Sequence, residues 1–156
     1  MLEHKIQPEP AEPDLQRLIL VVVGAHLRAE LRDRPAAARL RDAMLEWLED
    51  NLPDDALPHR VVLVTDLWYL NQDELRALPT VSVGGPRVNA LTAFLGDKLP
   101  SAFSIDDLLL VQIDLAYEDL LASCWGADGV WTGAAVDAFL ERYLDGFMTE
   151  ATRDWA

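Results

Sequence analysis

"LILVVVGA", residues Leu18 to Ala25, is an unbroken apolar run of leucine and β-branched side chains ending at a glycine and an alanine. A strand with one wet face alternates apolar and polar residues, whereas a strand covered on both faces has no reason to. The run therefore predicts the central strand of a parallel sheet.

Outward from it, the chain alternates helix and strand patterns. Beyond "HLRAELRDRP", Leu40, Ala43, Met44, Trp47 and Leu48 recur at helical spacing, with Asp33 placed to cap the helix, Pro35 in its first turn and Pro53 beyond its end. "RVVLVTD" (Arg60–Asp66) predicts a second buried strand, and "NQDELRALP" a short helix with Asn71 and Glu74 at capping-box spacing. "TVSV" (Thr80–Val83) predicts a third strand, followed by a glycine turn and a helix opened by Pro86. "DLLLVQID" and "DLLASCWG" predict two strands close enough to pair antiparallel, and a last helix runs from Thr132 to Phe147. This alternation implies an α/β fold: a three-layer Rossmann-like domain with a mostly parallel sheet and one antiparallel strand pair. Residues 1–14 read as a flexible, acidic, proline-rich tail, 15–148 as a single α/β domain, and 149–156 as a C-terminal tail.

Composition narrows the function. Of 156 residues, 51% are hydrophobic and 26% charged, and no apolar run is long enough to span a bilayer. Thirteen basic against 27 acidic residues give a formal charge of −14, which repels nucleic acid and anionic membrane surfaces. The start of the chain lacks a basic segment followed by an apolar one, so no secretory signal is expected. Cys124 is the only cysteine, consistent with a soluble cytoplasmic protein, and His4, His26 and His59 have no zinc-ligand spacing.

In an open parallel sheet ligands bind beyond the carboxyl ends of the strands, and the distinctive residues fall there. His26 and Arg28 follow the first strand, Asp66 and Trp68 the second, Gly84, Gly85, Arg87 and Asn89 the third, and Trp125 the last. Two glycines bring backbone N–H groups close to a guest, Arg87 supplies a planar cation and Asn89 both a donor and an acceptor, a set suited to a small anion or phosphate. The plainer roles are a tight connection for the glycines, a surface ion pair for Arg87 and a turn cap for Asp66. His26 and Glu30 stand four apart, as an acid-base or ion pair would, and Cys124 near the same edge is either a buried unreactive thiol, the commoner case, or a nucleophile aided by His26 and Asp66. Neither dinucleotide nor P-loop glycine pattern is present, so no cofactor and no catalytic group is named.

"VSVGGPRVNALTAFL" and "DLLASCWGADGVWTGAAVDAFLERYL" resemble the α/β domains of archaeal S-layer-type surface proteins. There a strand ending in Gly-Gly-Pro and then Asn opens a helix, and a later glycine-ended strand leads to a threonine-started, alanine-rich helix. The matching residues are Gly84, Gly85, Pro86, Asn89, Gly126, Thr132 and Ala135, under half of the chain. The resemblance implies a similar strand-helix arrangement and no activity.

Two functions compete. One is a binding domain that holds a small anionic or phosphate-bearing molecule at a concave pocket on the strand ends. The alternative is a non-catalytic module that docks a protein partner or forms a homo-oligomer; it predicts a filled edge and an exposed apolar patch.

Overall fold

The computed structural model describes residues 15–52 and 57–155. Strand β1 (Ile19–Val23) leads through a π-helical turn at Ala29–Asp33 into α1 (Arg34–Asn51), and β2 (Val61–Thr65) runs directly into α2 (Asp66–Leu70). A 3-10 turn at Asp73–Ala77 precedes β3 (Thr80–Val83) and α3 (Ala90–Leu95). Then follow β4 (Ser101–Ile105), β5 (Leu109–Ile113), β6 (Leu121–Gly126), α4 (Gly129–Arg142) and α5 (Leu144–Ala151).

The six strands form one sheet in the order β2-β1-β3-β6-β5-β4. The first four in that order are mutually parallel, while β5 pairs antiparallel with β6 and β4 with β5. The fold is the expected three-layer α/β arrangement, with helices on both faces of a mixed sheet. Every residue of β1 is buried. Its alternate side chains feed two cores: Ile19, Val21 and Val23 pack with Leu40, Met44, Leu48, Phe139 and Phe147, and Leu18, Leu20 and Val22 with Tyr69, Leu75, Leu91 and Leu95. Burial of such a side chain contributes about 1.5–3 kcal/mol, so a strand facing two cores has no position open to a polar residue.

Several local expectations change. Helical backbone begins at Leu27, before Asp33, whose side chain makes no cap bond and is buried. Pro86 does not open α3; the chain turns through residues 86–88, and Asn89 caps the helix by accepting the N–H groups of Leu91 and Thr92 at 3.0 and 3.2 Å. Asp128, not Thr132, caps α4 through Trp131 N–H at 3.0 Å. Asn71 donates to the Leu67 carbonyl at 2.8 Å, closing α2 instead of opening a helix.

Strand β4 was not expected, so there are two antiparallel pairings where one was. The last helix breaks at Tyr143, and the segment read as a tail from 149 is helical through Ala151, held because Met148, Ala151 and Thr152 are buried. Residues 1–14, Pro53 and Ala156 lie outside the described residues.

A candidate site at the strand ends

The chain leaves β1 toward the face that carries α1 and leaves β3 toward the face that carries α3, so the crevice between these neighbouring strands is the topological switch point. The expected residues do converge there. Val23 is in register with both Thr65 and Val83, and Val83 with Cys124, which carries Ala25, Asp66, Gly84 and Trp125 out along one rim.

Asp66 ties the rim together. One carboxylate oxygen accepts the N–H groups of Ala25 at 2.9 Å and Leu67 at 2.8 Å, and the other accepts Ala90 N–H at 2.7 Å. Three segments thus hang on one buried side chain. Asn89 is equally committed: besides capping α3, its amide donates to the carbonyls of Val22 at 3.3 Å and Val83 at 2.9 Å, bridging β1 and β3 across the switch point. Gly24 completes the closure, since the Val88 carbonyl and Ala29 Cβ occupy the space a side chain would need. The crevice is filled by the protein's own polar groups.

Gly84 has φ 110°, and a Cβ there would sit 2.6 Å from a carboxylate oxygen of Asp33. Asp33 is 4% exposed; burial raises its pKa to about 6, partly offset by the neighbouring Thr132 hydroxyl. That hydroxyl also accepts Gly126 N–H at 3.1 Å. Gly85 packs against the Trp125 ring, whose buried Nε1 has no hydrogen-bond partner.

The remaining candidates separate. His26 is exposed, and its Nδ1 accepts the Arg28 N–H at 3.0 Å. Glu30 pairs with Arg34 at 2.9 Å and not with His26. Cys124 is fully buried, which pushes its thiol far above its ordinary range. With His26 in solvent and Asp66 consumed by backbone donors, the three form no nucleophile-base array. Tyr69 lies in the core, whereas its neighbour Trp68 is 49% exposed. Among the described residues no group of three His, Cys, Asp or Glu is placed to hold a metal.

Around the filled crevice the rim is apolar and cationic. Leu27, Leu31 and Leu67 are 70%, 66% and 57% exposed, and the segments that carry them meet at the Asp66 carboxylate and in the π turn. Arg28, Arg32 and Arg87 are exposed and have neither ion pair nor ring contact among the described residues. The other described basic side chains have partners: Arg39 pairs with Asp137 at 2.8 Å, Lys98 lies 4.6 Å over the Phe94 ring and Arg142 4.1 Å over that of Phe103. Arg28 adjoins Ala29 and Arg87 adjoins Val88, the two residues that close on Gly24, while Arg32 packs on Gly129. Beside Arg32 a shallow groove of about 410 Å³ runs between α1 and α4, floored by Ala36, Gly133 and Ala134.

Sequence reasoning missed Leu27, Leu31, Arg32, Asp33 and Leu67. Four of these lie in the π turn and its approach, where leucines and arginines recur at the same spacing of four; that repeat on an otherwise polar stretch was the available signal. No helix among the described residues is long and apolar enough to cross a membrane. No family model matches the chain, and no curated protein matches it either.

Proposed function

We propose that this protein is a non-catalytic docking module whose partner is a protein surface with apolar side chains flanked by carboxylates, seated on the strand-end rim. One observation carries this: Arg28, Arg32 and Arg87, without ion pairs among the described residues, and exposed Leu27, Leu31, Leu67 and Trp68 all follow the carboxyl ends of parallel strands in a chain of formal charge −14. Elsewhere the acidic surface neutralises its cations, so cations left unpaired on one edge are available to a guest. Tryptophan and arginine are the residues that most often anchor protein interfaces, and unlike charges steer the encounter. The same reading takes the protein to be cytoplasmic and without a nucleic-acid partner, supported by its single cysteine and its formal charge of −14.

The test is comparative capture with the full chain: wild type, Leu27→Asp/Trp68→Ala on the rim, and Leu115→Ala, exposed beyond the end of antiparallel β5 at the opposite end of the sheet. A protein retained by wild type and Leu115→Ala, lost by the rim variant and released by high salt is the expected result. Equal retention by all three chains ends the proposal.

The three arginines also support a second reading, a small anionic or phosphate-bearing ligand gripped by Arg28 and Arg87 at the Gly84-Gly85 turn. Against it, the crevice where such a guest would sink is occupied by Asn89 and the Val88 carbonyl. Inorganic phosphate should then raise the melting temperature of wild type and not of Arg87→Ala; an equal shift in both removes this reading.

A further inference from the structure

The two edges of the sheet are built differently. At β4 the ladder with β5 is broken by a bulge between Ser101 and Phe103. The Tyr143 hydroxyl donates to the Ala102 carbonyl at 3.1 Å, and the Arg142 guanidinium covers the Phe103 ring. The adjoining turn carries Asp106 and Asp107. Bulges, capped carbonyls and nearby charges are the devices that keep a foreign strand off an edge.

Strand β2 has no bulge and, among the described residues, no capped carbonyl, and the charges that flank it, Arg60 and Asp66, are of opposite sign. Its sequence, Val61-Val62-Leu63-Val64-Thr65, contains no proline and no charge, and its register with β1 is unbroken over all five residues. The Ile19 N–H donates to the Arg60 carbonyl at 2.8 Å, which fixes the parity of the parallel ladder: Val62 and Val64 turn their backbone groups to β1, and Val61, Leu63 and Thr65 turn theirs outward. The outward groups of Val61 and Leu63 have no hydrogen-bond partner among the described residues.

We infer that β2 pairs antiparallel with β2 of a second copy of this chain, across a two-fold axis at Leu63, joining two six-stranded sheets into one. A second copy fits because the edge is complementary to itself. With Leu63 opposite Leu63, Val61 falls opposite Thr65 of the copy, and these outward-facing residues are the ones that exchange hydrogen bonds in an antiparallel ladder. The side chains that meet are branched and uncharged, the kind of cross-strand pair that stabilises a sheet. No like charges oppose along the strand, a requirement for two strongly acidic bodies to approach. Exposed Leu67 and Trp68 just after the strand, and exposed Pro58 and His59 just before it, flank the paired segment. This inference stands apart from the docking proposal, since it uses backbone groups that the rim does not.

Sedimentation of the full chain should show a monomer-dimer equilibrium that shifts toward dimer with concentration. Leu63→Cys should be joined into a covalent dimer by a short bismaleimide. Ser104→Cys on the protected edge should gain no covalent crosslink, nor should wild type, whose Cys124 is buried. Leu63→Pro removes one outward N–H without touching the β1 ladder and should abolish the dimer boundary; circular dichroism checks that it folds, and the crosslink decides the matter if it does not. A wild type that stays monomeric up to millimolar concentration, or a dimer that Leu63→Cys fails to trap, overturns the pairing.

Discussion

Asp33 and Asp66 are both buried, and their surroundings give them opposite parts. Asp66 meets three backbone donors, so its carboxylate is solvated by the protein itself. Asp33 is enclosed by the Gly84 turn and Thr132 with little in return, and its pKa rises from 3.8 to about 6. Between those values the folded chain keeps a proton that the unfolded chain has released. Stability from this group is therefore present at acid pH and falls as pH rises toward about 6, then levels off. Asp33→Asn fills the same space with no charge to desolvate. It should match wild type near pH 4 and exceed it by about 2 kcal/mol at pH 8, read from urea unfolding at both pH values. A variant less stable than wild type at pH 8 would mean the carboxylate is needed charged. Sequence alone placed Asp66 and Asn89 at the strand ends, because runs such as "RVVLVTD" announce where a strand stops. It could not show that both side chains are spent on backbone partners, since Ala25 and Ala90 lie 41 and 24 residues from Asp66, and Val22 lies 67 from Asn89. Asp33 read as a helix cap for the same reason: the neighbours that bury it come from β3 and α4.

At the level of elements, β1, β2, β3, β5 and β6 were legible, each being a short branched run bounded by turn residues. Strand β4 was not: "SAFSI" has weak alternation, and it becomes a strand because β5 offers it an edge. The π turn was equally hidden, as nothing in "AELRD" opposes an ordinary helix. The link that matters most for the rim is the one between β1 and the segment before α3. Its fit depends on Gly24, against whose Cα the Val88 carbonyl rests directly. Gly24→Ala has no flexible side-chain end to push aside, only backbone, so the Val88 segment must withdraw and take the Asn89 bridge with it. The expected cost is about 3 kcal/mol or more, seen as a large fall in the urea midpoint and faster amide exchange at Leu91 and Thr92. A normal midpoint would show that the β3–α3 connection is looser than its contacts imply.

The whole molecule is governed by its charge. Twenty-seven acidic residues against 13 basic ones leave the folded surface repelling itself. The ion pairs that offset this, such as Arg39–Asp137 and Arg76–Asp73, are exposed and individually weak. Salt acts on the two contributions with opposite sign: it weakens the few attractive pairs, and it relieves the many repulsions, which reach across the body when the Debye length is about 30 Å in about 0.01 M salt. Repulsion is the larger sum here, so stability should rise with ionic strength, by about 3 °C in melting temperature if the relief is about 1 kcal/mol. The β2 pairing should strengthen in the same series, because its strand carries no charge and only the bodies behind it repel. Docking on the rim should weaken, because Arg28, Arg32 and Arg87 attract carboxylates that salt screens. One titration with sodium chloride thus sets stability and β2 pairing, which rise, against docking, which falls, and a melting temperature that falls as salt is added would show that the ion pairs outweigh the net charge.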